Sequence, residues 1–226
     1  MEQDRVLKVF LNIGKKMKIY IVRHAQSKRN ARIQSEEDAE LTEIGEEQAR
    51  RLAGFFHDIN LSKIYCSPLK RAKITLNGIK DSLKGIPIVY SKKMIEIKMG
   101  KYGGDGKDDW KGYFDEAMKS GIPYHLYAPK KGESLQECYE RAGKFYNNLL
   151  KKHKANQNVL LIGHGFFLMY LILNALKLDL FEGKYYQLSN ASISTLLIRN
   201  GRVKDFHIND YNHLIKEGIR LKGIKL

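Results

Sequence analysis

Lys18-Ile19-Tyr20-Ile21-Val22-Arg23-His24-Ala25-Gln26-Ser27-Lys28-Arg29-Asn30 is the stretch on which the reading of this chain turns. It opens as a short apolar run rich in β-branched and aromatic residues, the pattern of a buried strand. It then changes abruptly to Arg-His and a series of short polar residues. A strand that ends this way carries ionic side chains at its carboxyl end, where open α/β sheets bind ligands. Arg23 offers a planar fork of donors suited to phosphate or carboxylate. His24 can serve as base, ligand or nucleophile. Gln26, Ser27 and Asn30 add short polar groups beside them.

Working outward, the same grammar recurs. Thr42 is placed to cap a helix whose apolar positions Ile44, Ala49, Leu52, Phe55 and Phe56 fall on one face. Lys63 to Ser67 reads as a second strand, with Pro68 able to start a helix over Leu69 to Leu83 and Arg71 in its first turn. Ile86 to Tyr90 reads as a third strand. Asn158 to Ile162 is a strongly apolar strand that ends in Gly163-His164-Gly165, with a helix starting near Phe166. Gly132-Glu133-Ser134 leads into a long helix over Leu135 to His153. Asn200-Gly201, between two alternating segments, marks a hairpin with a type I′ turn. Strands alternating with helices predict an α/β fold: a three-layer α/β/α sandwich around a mostly parallel sheet. In such a sheet the strand ends carrying Arg23 and His24, Arg71, and His164 share one edge, so two arginines and two histidines converge as an oxyanion pocket.

The bulk properties set limits. The chain has 226 residues, 43% hydrophobic and 29% charged, enough for one domain with a substantial core and too apolar for disorder. Its longest apolar run, Val159 to Leu176, is interrupted by Gly163, His164, Gly165 and Asn174, so no membrane span is expected. Residues 1–16 read as an N-terminal extension without secretory character. Residues 17–210 read as the domain, with 91–131 as a glycine-rich insertion over the sheet edge that covers the site, and 211–226 as a peripheral basic tail. Cys66 and Cys138 are too few for a disulfide framework and read as reduced thiols of a cytoplasmic protein. The net charge of +15 favours anionic partners, but the lysines are scattered, which suits a small anionic substrate better than nucleic acid.

Taken together, these segments resemble the histidine phosphatase superfamily, which includes the cofactor-dependent phosphoglycerate mutases. The family's Arg-His-Gly opening appears as Arg23-His24-Ala25-Gln26-Ser27-Lys28-Arg29-Asn30, with Ala25 in place of the usual glycine. Leu41-Thr42-Glu43-Ile44-Gly45-Glu46-Glu47-Gln48-Ala49, Ser67-Pro68-Leu69-Lys70-Arg71-Ala72, the Glu96 loop, Gly132-Glu133-Ser134, Gly163-His164-Gly165 and Asn190-Ala191-Ser192-Ile193 follow in family order. The resemblance implies a phosphomonoesterase, a histidine acid phosphatase-type hydrolase. His24 would take the phosphoryl group as a phosphohistidine and Glu96 would act as general acid and base. Arg23, Arg71, His164 and Asn30 would hold the phosphate, with Gln26, Ser27 and Gly165 shaping the substrate site. It implies no metal and no cofactor, since cationic side chains do the work of a metal ion. The resemblance leaves open a phosphoglycerate mutase, and a non-catalytic anion- or nucleic-acid-binding member. It also leaves open whether the protein is a monomer or a homodimer.

Overall fold

The computed structural model describes residues 16–33, 38–104, 107–153, 156–216 and 219–220. The N-terminal extension, apart from Lys16, and most of the basic tail therefore lie outside the described residues. Strands β1 (Met17–Arg23), β2 (Lys63–Cys66), β3 (Ile88–Tyr90), β4 (Val159–Gly163), β5 (Ile193–Arg199) and β6 (Arg202–Asp210) form one sheet in the order β3-β2-β4-β1-β5-β6. The first four run parallel; β5 lies antiparallel to β1, and β6 antiparallel to β5. The sheet is thus parallel where βα units build it and antiparallel where the hairpin closes its edge. Asn200 and Gly201 both adopt positive φ, the requirement of the type I′ turn between β5 and β6.

Helices α1 (Glu43–Phe56), α2 (Lys70–Ile79), α3 (Trp110–Ser120), α4 (Leu135–Lys152) and α5 (Gly165–Leu176) complete the layers. The apolar run of β1 is continuous because both its faces are covered. Ile19 and Ile21 point into a core shared with α4 and α5, while Tyr20 and Val22 point into a second core shared with α1 and α2. β4 divides in the same way, Val159 and Leu161 to one side and Leu160 and Ile162 to the other. Fully burying such side chains stabilises the fold by about 1.5–3 kcal/mol each.

Local signals set the helix ends. The Thr42 hydroxyl accepts from the Gly45 amide at 3.0 Å, and α4 opens on a capping box between Ser134 and Glu137. The helix after β2 starts later than Pro68 suggests: Leu69 is the N-cap and Lys70 the first helical residue, and the last turn tightens to a 3₁₀ segment over Lys80–Leu83. The tail is less peripheral at its start than its charge implies. Leu214 is fully buried against the α1 side of the sheet, and Arg51 on α1 donates to its carbonyl at 3.1 Å. Cys66 and Cys138 are buried free thiols. Among the described residues, no helix is long and apolar enough to cross a membrane.

Candidate active site

Parallel register brings the ionic groups together. Arg23 at the end of β1 lies beside Gly163 at the end of β4, and Ile162 pairs with Cys66 at the end of β2. The next residues of the three strands, His24, His164 and Ser67, therefore emerge at one edge. The His24 amide donates to the Gly163 carbonyl and the Ser67 amide to the Ile162 carbonyl, both at 2.9 Å. The His24 and His164 rings lie 5.0 Å apart.

The tautomer of His24 follows from its neighbours. Arg71 Nε, always a donor, lies 3.2 Å from His24 Nε2, so Nε2 carries the lone pair. Nδ1 then bears the hydrogen and donates to the Ala25 carbonyl at 2.7 Å. Burial, then the charges of Arg71 and Arg23, hold the His24 pKa well below the ordinary imidazole value, against a smaller opposing pull from the Ala25 carbonyl. The ring is therefore neutral at neutral pH with Nε2 available. His164 is fully buried and is depressed likewise, by burial and then by Arg71, His24 and Arg23. Its Nε2 lies 2.7 Å from Ser67 Oγ.

Among the described residues, two buried nitrogens of this cluster, Arg23 Nε and His164 Nδ1, have no hydrogen-bond partner. Arg23 Nη1 is anchored on the Leu188 carbonyl. A buried polar nitrogen without a partner costs free energy, and an anion would satisfy the Arg23 Nε–H and, in the tautomer that protonates it, His164 Nδ1. Both belong to residues around His24, where a tetrahedral oxyanion would sit.

Glu96 comes from the first loop of the insertion, between β3 and α3, and lands on the start of α5. Its Oε1 accepts from the amides of Ile97, Phe166 and Phe167 at 3.0, 3.1 and 3.2 Å, while Oε2 accepts only from Phe166, at 3.3 Å. Oε2 is thus the oxygen left for proton transfer. A methyl group on Gly165 would stand 3.5 Å from both Glu96 Oε2 and Arg23 Nε, so glycine keeps the space between acid and arginine open.

The Glu96 loop is braced from α4. Arg141 Nη1 donates to the carbonyls of Lys93 and Ile95 at 2.8 and 3.0 Å, and its Nε and Nη2 pair with the Glu133 carboxylate. Glu133 in turn accepts from the Lys98 amide at 3.3 Å and donates its own amide to the Lys98 carbonyl at 2.9 Å. The brace therefore grips the loop on both sides of Glu96.

The loop after His24 is fixed by residues distant in sequence. The Ala25 amide donates to Thr75 Oγ1 at 3.0 Å and the Gln26 amide to Gln48 Oε1 at 2.9 Å. α1 approaches so closely that a Cβ on Gly45 would lie 2.0 Å from the Gln26 carbonyl oxygen. Asn190 donates to the His24 carbonyl and to Asn30 Oδ1, which leaves the Asn30 NH₂ group to serve a ligand.

A cleft of about 1630 Å³ opens over this edge, lined by Arg23, His24, Gln26, Asn30, Arg71, Glu96 and Gly165 among others. Of the residues expected at the site, Ser27 and His164 are not on its wall. Ser27 is buried beneath the loop, its hydroxyl 3.1 Å from Asn30 Oδ1, and His164 is fully buried with its ring 5.0 Å from that of His24. The insertion does line the cleft, through Met99, Trp110, Tyr124 and Lys130; the Trp110 ring lies 5.1 Å from that of Phe166. Gln48, Ser67, Thr75 and Asn190 were not expected as supports, although all but Thr75 stand inside the motifs that marked the site. Arg141 has no such signal. Among the described residues, no group of three or more His, Cys, Asp or Glu is placed to hold a metal ion.

Comparison with known proteins finds relatives along most of the chain. The model of the histidine phosphatase superfamily, branch 1, matches residues 19–211. Phosphoserine phosphatase 1 of Hydrogenobacter thermophilus is 29% identical over 201 residues, covering 88% of this chain and 94% of that protein. A probable phosphoglycerate mutase, GpmB, of an Enterobacter strain is 30% identical over 190 residues, covering 80% and 84%. Among solved structures, Bacillus stearothermophilus YhfR superposes with a TM-score of 0.73 at 26% identity, covering 87% of this chain and 98% of its own.

Proposed function

This chain belongs to the histidine phosphatase superfamily, and from that membership we propose that it hydrolyses phosphomonoesters through a covalent phosphohistidine on His24. The observation that carries the reading is the neutral His24, its Nε2 lone pair facing Arg71, beside buried nitrogens on Arg23 and His164 that have no partner among the described residues.

In the first half-reaction, His24 Nε2 attacks phosphorus and the bond from phosphorus to the leaving oxygen breaks. Glu96, protonated on Oε2, gives that proton to the leaving oxygen, and the alcohol departs. Arg71 transfers its N–H donation from the imidazole to phosphoryl oxygens. Arg23 Nε, His164 and the Asn30 NH₂ group stabilise the remaining equatorial charge. In the second half-reaction, Glu96 takes a proton from water, the water oxygen attacks phosphorus, and the N–P bond breaks. Inorganic phosphate leaves, and His24 and Glu96 return to their starting states.

Phosphoglycerate mutase chemistry is the second reading, suggested by the relative of that name. It would require the phosphohistidine to be kept from water. A cleft of about 1630 Å³ admits water freely and favours hydrolysis. Following p-nitrophenyl phosphate hydrolysis beside 3-phosphoglycerate isomerisation separates the two. Trapping of a base-stable, acid-labile phosphoenzyme that His24→Ala abolishes tests the covalent step. A fully active His24→Ala variant would end the reading.

A further inference from the structure

The leaving group of the proposed hydrolysis must lie beside Glu96 Oε2, because that oxygen protonates it. What surrounds Glu96 therefore describes the alcohol half of the substrate. On one side is an aromatic shelf. The Phe166 amide holds Glu96, its ring lies 5.1 Å from that of Trp110 at a 34° tilt, and Tyr124 and Phe181, 6.1 Å apart, continue the wall. On the other side are two loops that cross closely. A Cβ on Gly100 would lie 2.5 Å from the Lys130 carbonyl oxygen, and Glu133 is hydrogen-bonded to Lys98. These loops carry Lys98, Lys101, Lys130 and Lys131 to the cleft; Lys101 is paired with Glu116. Arg29 and Lys184 add to the lining, and among the described residues Glu96 is the one carboxylate in it.

We propose that the substrate is a phosphomonoester whose alcohol carries both a planar aromatic group and a second anionic group. The aromatic part would lie on the Phe166–Trp110 shelf and the second anion against the Lys98–Lys101 and Lys130–Lys131 loops. This rests on the phosphatase reading. A small substrate such as phosphoserine would leave most of the 1630 Å³ cleft unused. A neutral alcohol would bring no counter-charge to Lys98, Lys130 and Lys131, which make no ion pair among the described residues.

Four probes that share a ribose leaving group separate the two features: ribose 5-phosphate, ribose 1,5-bisphosphate, adenosine 5′-monophosphate and adenosine 3′,5′-bisphosphate. At a fixed ionic strength of about 0.15 M, kcat/KM should rise about tenfold for the adenine and about tenfold for the second phosphate, each a good contact's worth. The double variant Lys130→Gln, Lys131→Gln should erase the gain from the second phosphate while keeping that from adenine, and Trp110→Leu should do the reverse. Equal kcat/KM across the four probes overturns the proposal, as does a uniform loss for all four in either variant. If p-nitrophenyl phosphate is hydrolysed through His24 while the ranking is absent, only this proposal fails. If p-nitrophenyl phosphate is not hydrolysed either, the phosphatase reading falls with it.

Discussion

His24 is held in one tautomer by two contacts, and burial and then two guanidinium groups keep it unprotonated. Three outcomes follow at this scale. His24→Ala should lower kcat for p-nitrophenyl phosphate by about 10⁴-fold or more, as removal of a covalent nucleophile does. Because its pKa lies below the ordinary imidazole value, protonation of His24 should not limit kcat/KM at pH 6.5; an acid limb from this group belongs at lower pH. Arg71→Ala removes one of the charges that depress it, so the limb should move up in pH. The same change should weaken inhibition by inorganic phosphate by about 2–4 kcal/mol, read as a rise in the inhibition constant. A pH–rate profile of wild type and variant over pH 4 to 8 checks the limb, and phosphate inhibition constants of the two check the contact.

At the scale of the element, the loops that deliver side chains matter more than the strands beneath them. Arg141 and Glu133 do not line the cleft, yet they grip the Glu96 loop on both sides. Arg141→Met should therefore slow hydrolysis of alkyl phosphates, which need the proton from Glu96, about tenfold more than that of p-nitrophenyl phosphate, whose leaving group does not. Equal slowing of both would reduce Arg141 to a structural role. Ser134→Ala removes half of the α4 capping box and should cost about 1 kcal/mol, seen as a lower Tm with unchanged kcat. The same scale shows what sequence reasoning can reach. The β1 run, the Thr42 cap and the Asn200-Gly201 turn are local patterns, decided by neighbours in the chain, and they were legible. The convergence of Arg23, His24, Arg71 and His164 followed from parallel strands sharing an edge. Arg141 reaching Lys93, and Thr75 reaching Ala25, were not legible, because those contacts join residues whose spacing follows no periodicity. Ser27 illustrates the limit in reverse: its place in the motif suggested a ligand contact, and its hydroxyl instead holds the loop from beneath.

For the whole molecule, charge and buried imidazoles set the behaviour. A net charge of +15 and a cleft edged with lysine should steer anionic substrates. Between about 0.05 and 0.5 M salt, kcat/KM should fall several-fold, with kcat nearly unchanged. Stability should also respond to mild acid. His24, His164 and His213 are held below 6.5 in the folded state, His213 to about 4, chiefly by burial. Below pH 6.5 the unfolded chain binds protons that the folded one does not, so stability is fully present above that pH and declines as pH falls. Each such histidine contributes about 1.4 kcal/mol per pH unit until its folded pKa is passed. Thermal unfolding should therefore show Tm falling between pH 6.5 and 5, above the range where exposed carboxylates titrate.

Trp110, stacked on Phe166 at the wall of the cleft, is the sole tryptophan in the chain. Light absorbed at the red edge of the indole band thus excites one indole, lodged against the Phe166 ring, whose own amide holds Glu96. Emission intensity during stopped-flow mixing would report arrival and departure of the alcohol half directly, with no dye attached and no background from elsewhere in the protein.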